Sequence, residues 1–119
     1  MPKVLIVDDD CALLEALADL LRREGYDPVL AMDGQEALEY LRANDPPCAI
    51  VLDLVMPGMD GWAFREEQRR DAALAAIPTV IVTGTAHGKI SPNGTRAGTV
   101  FPKPFDAAAL LATLRRFCD

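Results

Sequence analysis

Three consecutive acids, Asp8-Asp9-Asp10, follow a short apolar run, and another acid, Asp53, follows a second one. Thr83 and Lys103 each close a further run of the same kind. Crowded carboxylates repel one another, and a hard cation relieves that repulsion; Mg2+ prefers oxygen ligands and commonly keeps waters and phosphate oxygens around it. A carboxylate is also a nucleophile toward phosphorus, giving an acyl phosphate. A metal and an ammonium then neutralise charge on the transferred oxygens, while a hydroxyl donates a hydrogen bond to one of them. Carboxylates, hydroxyl and ammonium together suit phosphoryl transfer to an aspartate, provided the fold gathers them.

The elements that must gather them alternate in period. Val4-Leu5-Ile6-Val7 is a continuous apolar run, β-branched and too short for a helix, which predicts a strand buried on both faces. Leu13, Leu14, Leu17, Leu20 and Leu21 follow at helical spacing, with Asp10 placed to cap the helix and Gly25 to end it. Pro28-Val29-Leu30-Ala31 predicts a second strand. Asp33, with Glu36 three residues on, resembles a capping box for a helix bearing Ala37, Leu38 and Leu41.

The alternation continues to the end of the chain. Ala49-Ile50-Val51-Leu52 leads to Asp53, and Asp60 is placed to cap a helix bearing Trp62, Phe64 and Arg65. The Ala-rich stretch from Ala72 to Ala76 predicts a helix end and a loop. Pro78-Thr79-Val80-Ile81-Val82 leads to Thr83, Thr99-Val100-Phe101 precedes Lys103, and Asp106 opens a last helix with Leu110, Leu111, Leu114 and Phe117. Five such alternations predict a parallel sheet covered by helices on both faces. Ligands of open parallel sheets bind beyond the carboxyl ends of the strands. If the first, third and fourth strands are neighbours, the polar groups converge there.

Composition sets the remaining bounds. The 119 residues suit one domain, residues 1–119, with half the chain hydrophobic and a quarter charged. A formal net charge of −6 argues against direct binding to nucleic acid, which rests on clustered Lys and Arg. No window approaches the roughly 18 unbroken apolar residues of a membrane span, and Met1-Pro2-Lys3 opens nothing like a signal peptide. A cytoplasmic domain with no membrane partner is expected. Cys11, Cys48 and Cys118 are far apart and show no CxxC spacing, so three reduced, mostly buried thiols are expected.

These motifs together resemble the receiver domain of two-component response regulators over nearly the whole chain. The matching features are Val7-Asp8-Asp9, Asp53, the loop Met56-Pro57-Gly58-Met59-Asp60-Gly61, Thr83-Gly84 and Lys103-Pro104-Phe105, in order and on the right elements. The resemblance implies a flavodoxin-like, doubly wound sheet of five parallel strands in the order 2-1-3-4-5. It implies that Asp53 is the phosphoacceptor, and that Asp9, Asp53 and the Val55 backbone carbonyl bind Mg2+ directly. Asp8 would act mainly through a metal-bound water. Lys103 would pair with the phosphoryl group, Thr83 would move toward it, and the Lys103–Pro104 peptide would be cis. The implied donor is a histidine kinase or phosphotransfer protein, and the implied recipient an output protein or effector domain that the sequence does not name. Such a domain is no general enzyme, because it catalyses only its own phosphorylation and dephosphorylation.

Plainer roles stand beside these. Asp10, Asp33 and Asp60 read as helix caps rather than ligands, and Trp62 and Phe64 as packing or partner-surface residues. Lys103 lies between Pro102 and Pro104, whose rigid backbone would aim its side chain. A degenerate receiver serving as an adaptor without phosphate is the alternative function. A phosphatase of the haloacid dehalogenase type fits poorly, since Ala12 stands where that family expects Thr or Val. A flavodoxin fits worse, because the acidic loop after the first strand would repel a phosphate lacking a metal.

Two features depart from the family pattern. Receivers usually carry an aromatic residue three positions before the lysine, and here that position is Val100; Phe101 faces the opposite side of its strand. Gly88, Pro92 and Gly94 fall where the helix between the fourth and fifth strands belongs. At about 1 kcal/mol per Gly and about 3 for the Pro, that helix should be short, distorted or absent. The hypothesis that follows is a readout by order–disorder in residues 86–98. Hydrogen exchange with and without a phosphoryl mimic should show that segment gaining protection, and equal protection in both states would overturn the idea.

Overall fold

The alternating periods produce alternating elements. They are β1 (Lys3–Val7), α1 (Cys11–Arg23), β2 (Asp27–Ala31), α2 (Gly34–Ala43), β3 (Ala49–Asp53), α3 (Gly61–Arg70), α4 (Ala72–Ala75), β4 (Thr79–Gly84), β5 (Thr99–Lys103) and α5 (Ala107–Cys118). The structure is a computed structural model. It describes residues 1–53, 61–84, 99–103 and 106–118, with the backbone path alone for 83–84 and 99–103. The strands form one parallel sheet in the order β2-β1-β3-β4-β5. That is the flavodoxin-like order expected. The distorted helix expected within residues 86–98 lies outside the described residues.

The period-two alternation of the strands divides the core into two layers. Leu5, Val7, Ile50, Leu52 and Ile81 pack with Leu38 and Leu41 of α2, Phe64 of α3 and Leu74 of α4. Val4, Ile6, Val51, Val80 and Val82 pack on the other face with Leu14, Leu17 and Leu21 of α1 and Leu110 and Leu114 of α5. Both faces of the central strands are therefore covered, which is why their sequences are continuously apolar. Of the two aromatic residues early in α3, Phe64 is buried and Trp62 is exposed.

Local chemistry fixes the helix ends. The Asp10 side chain accepts from the backbone N–H groups of Ala12 and Leu13 at the start of α1. At its other end Gly25 takes φ +90°, Tyr26 N–H donates to the Leu21 carbonyl at 2.9 Å and Gly25 N–H to that of Arg22 at 3.2 Å. This is the Schellman arrangement, and it favours glycine because L side chains are strained at that φ. Asp33 accepts from Glu36 N–H at 2.9 Å, while the Glu36 carboxylate accepts from Met32 N–H, one residue before the cap. Asp106 caps α5 through Ala108 N–H and Ala109 N–H. Asp60, proposed as the cap of α3, lies outside the described residues.

Two expectations change. The stretch after α3 is a separate short helix, α4, because Asp71 interrupts α3 and its side chain accepts from Ala73 N–H. The cysteines are not three thiols: Cys48 and Cys118 form a disulfide with Cα atoms 5.2 Å apart, and Cys11 is free and exposed. A helix that returns over a parallel sheet runs against the strands, so the end of α5 reaches the start of β3. Sequence spacing alone hides that meeting.

A buried polar cluster ties α3 to α4 and β4. Gln68 is fully buried; its Nε2 donates to the Leu74 carbonyl at 2.9 Å and to Thr79 Oγ1 at 3.1 Å. Its Oε1 accepts from Arg65 Nη1 at 2.6 Å. Burial, and after it the charge of Arg69, lower the Arg65 pKa, so the Gln68 acceptor sits where that guanidinium needs one. Gln68→Met keeps the volume and removes these buried hydrogen bonds, each contributing about 0.5–1.5 kcal/mol. A clearly lower urea midpoint is expected for Gln68→Met, beside a near-unchanged one for the exposed Gln35→Met; equal midpoints would show that the cluster contributes nothing.

Candidate functional site

Strand register builds the site. Val7 of β1 pairs with Leu52 of β3, so Asp8 and Asp53 leave adjacent strands at the same level. Both continue the alternation that sends Val4 and Ile6, and Ala49 and Val51, to the α1/α5 side. Asp53 pairs with Val82 of β4, which places Thr83 one residue beyond it. Thr83 in turn pairs with Pro102 and Gly84 with Lys103. The backbones of all four expected strand-end positions thus reach the carboxyl edge of the sheet. The side chains of Thr83, Val100 and Lys103 are outside the described part, as are Val55, Thr85 and the Lys103–Pro104 peptide.

The acidic run divides its work. Asp8 is held by its N–H donating to the Ala31 carbonyl at 3.1 Å, and its Oδ1 accepts from Asp10 N–H at 2.9 Å. Asp10 turns its own carboxylate to the α1 N-terminus. It is therefore the cap expected of it. Asp8 and Asp53 are only 3% and 5% exposed, whereas Asp9 is open to solvent. One carboxylate oxygen from each of Asp8, Asp9 and Asp53 lies within 4.8 Å of the others.

Three hard oxygen donors in that space fit a small divalent cation, which fills its remaining positions with water or phosphate oxygens. Soft or redox metals favour thiolate or imidazole, and neither joins this cluster among the described residues. Asp53 is nearly buried, ends the central strand of the sheet, and has Asp8 and Asp9 as acidic neighbours. The Ala31 carbonyl that holds Asp8 was not foreseen in the sequence, because only the β1–β2 pairing brings it there.

Residues 4–115 match the family model of the response regulator receiver domain. The DNA-binding dual master transcriptional regulator RpaA of Synechocystis sp. is 36% identical over 117 residues, covering 97% of this chain and 48% of the relative. Response regulator MprA of Mycolicibacterium vanbaalenii is 35% identical over 113 residues, covering 95% and 48%. The chain thus spans about half the length of these relatives. The crystal structure of a putative response regulator from Chloroflexus aurantiacus superposes with a TM-score of 0.88 at 30% identity, covering 98% of this chain and 96% of that one.

Like charges at this spacing repel by on the order of 1 kcal/mol even in water. In chelator, Asp9→Asn should therefore raise the thermal midpoint by about 4 °C, the shift such an energy gives a domain of this size. An unchanged or lower midpoint in differential scanning calorimetry would mean that the three carboxylates do not oppose folding.

Proposed function

The chain belongs to the response regulator receiver family, and on that premise we propose that Asp53 is its phosphoacceptor, that Asp8 and Asp9 join it in holding Mg2+, and that the resulting charge change alters partner binding. The observation that carries this reading is the gathering of Asp8, Asp9 and Asp53 oxygens within 4.8 Å at the carboxyl edge of a parallel sheet. The Val55 carbonyl is proposed as a further metal ligand. When bound, the cation supplies positive charge against the phosphoryl oxygens.

The residues of the chain do the remainder. An oxygen of the Asp53 carboxylate attacks phosphorus in line as the nitrogen–phosphorus bond of a donor phosphohistidine breaks. The bonding pair stays on the imidazole nitrogen, which then takes a proton from solvent. Asp8, fixed by the Ala31 carbonyl and the Asp10 N–H, offers a carboxylate oxygen to the cluster. The Lys103 ammonium is proposed to pair with the phosphoryl oxygens and the Thr83 hydroxyl to donate to one of them. Dephosphorylation by water would use the same groups, so the domain acts catalytically on itself alone.

The proposed donor is a histidine kinase or phosphotransfer protein, and the proposed recipient an output protein or effector segment. That this domain makes no nucleic-acid contact of its own is likewise proposed, from its net charge of −6. The relative named as DNA-binding is about twice as long as the stretch matched here. Among the described residues no helix is long and apolar enough to cross a membrane, and a cytoplasmic site of action is proposed on that basis together with the sequence.

Intact mass after incubation with acetyl phosphate and Mg2+ tests the central claim. One phosphoryl adduct is expected, dependent on Mg2+ and missing in Asp53→Asn. No adduct under conditions that label an ordinary receiver would overturn the phosphoacceptor role and favour a phosphate-independent adaptor.

A further inference from the structure

The Cys48–Cys118 disulfide lies away from the phosphoryl chemistry. Cys48 immediately precedes β3 and Asp53 ends it, so the strand sets the two about 16 Å apart at 3.3 Å per residue. Cys118 is the last residue of α5. The bond therefore joins the final helical turn to the amino edge of the sheet, opposite the acidic cluster.

Several observations favour a bond that opens and closes. Both cysteines are half-buried, so small thiols can reach them. The Cys48 sulfur lies 3.2 Å from the Lys3 carbonyl oxygen, an acceptor to which a thiol there would donate. The helix does not need the bond to stay docked: Leu110, Leu111 and Leu114 are buried in the core, and Arg115 pairs at 2.6 Å with Glu24, the residue that follows α1. Reduction then leaves the core intact and releases only the last turn. Thiols are kept reduced in a reducing compartment. In the cytoplasmic setting proposed above, the pair would rest as a dithiol and close on oxidation.

We propose that Cys48 and Cys118 form a reversible redox modification site whose co-reactant is a low-molecular-weight disulfide and its thiol. One cysteine thiolate attacks a sulfur of the small disulfide, giving a mixed disulfide and releasing one small thiolate. The second cysteine thiolate attacks the protein sulfur of that mixed disulfide, closing the bond and releasing the second small thiolate. The protein loses two electrons and two protons; the small disulfide gains both and leaves as two thiols. Closure fastens the end of α5 to the start of β3, and reduction frees it.

The test equilibrates the full chain in glutathione buffers of graded thiol-to-disulfide ratio, quenches by alkylation and counts labels by intact mass. All three cysteines should label under reducing conditions; under oxidising ones Cys48 and Cys118 should carry neither label nor glutathione, while the free, exposed Cys11 carries one or the other. Hydrogen exchange at residues 115–118 should be about ten-fold faster in the dithiol form, and Cys48→Ser and Cys118→Ser should each match that form. Three labels in glutathione disulfide, a pair that never opens, or equal exchange in both forms would each overturn the proposal. The titration needs no phosphoryl donor, so its failure is separable from a failure to label Asp53.

Discussion

Parallel pairing of β1 with β3 is the constraint on which the rest of the molecule depends. It sets Val7 against Leu52 and so delivers Asp8 and Asp53 side by side. Like charges brought this close resist folding, and the covering of both sheet faces supplies the opposing burial. Val4, Leu5, Val7, Ile50 and Leu52 are fully buried in those two strands. Apolar burial is non-directional, whereas the ladder hydrogen bonds fix which residue ends level with which. The first provides the stability and the second the geometry.

The acidic cluster and the disulfide lie at opposite edges of the sheet. At the carboxyl edge the ends of β1 and β3 carry the carboxylates, and the backbones of β4 and β5 reach the same side. At the amino edge the closing contacts are structural: Asp27 N–H donates to the Pro2 carbonyl and Cys48 N–H to that of Lys3.

Much of this was legible in the sequence because the relevant signals are local. Continuous apolar tetrads marked the central strands, and Asp10, Asp33 and Asp106 marked helix starts through hydrogen bonds spanning two or three residues. The acidic cluster followed once the strand order was assumed. What escaped depends on contacts between distant elements. Gln68 gave no polar-core signal, since its partners Leu74 and Thr79 lie on the next helix and strand. Asp71, which the reading of Ala72 to Ala76 as a helix end and a loop passed over, opens a helix of its own. Cys48 and Cys118, 70 positions apart, looked like unrelated thiols because no spacing rule records that a returning helix ends beside a strand start.

The division of labour within Asp8-Asp9-Asp10 bears on how such chains are compared. The letters are identical, yet Asp8 sits in the cluster with its Oδ1 bound by Asp10 N–H, while Asp10 belongs to the helix it caps. An alignment that slides a gap by one position across this triplet scores the same and exchanges a cluster carboxylate for a cap. Homologous positions here are defined by hydrogen-bond partner rather than by residue letter. Any inventory of intact or degenerate acidic sites among related chains inherits that one-residue ambiguity until a structure removes it.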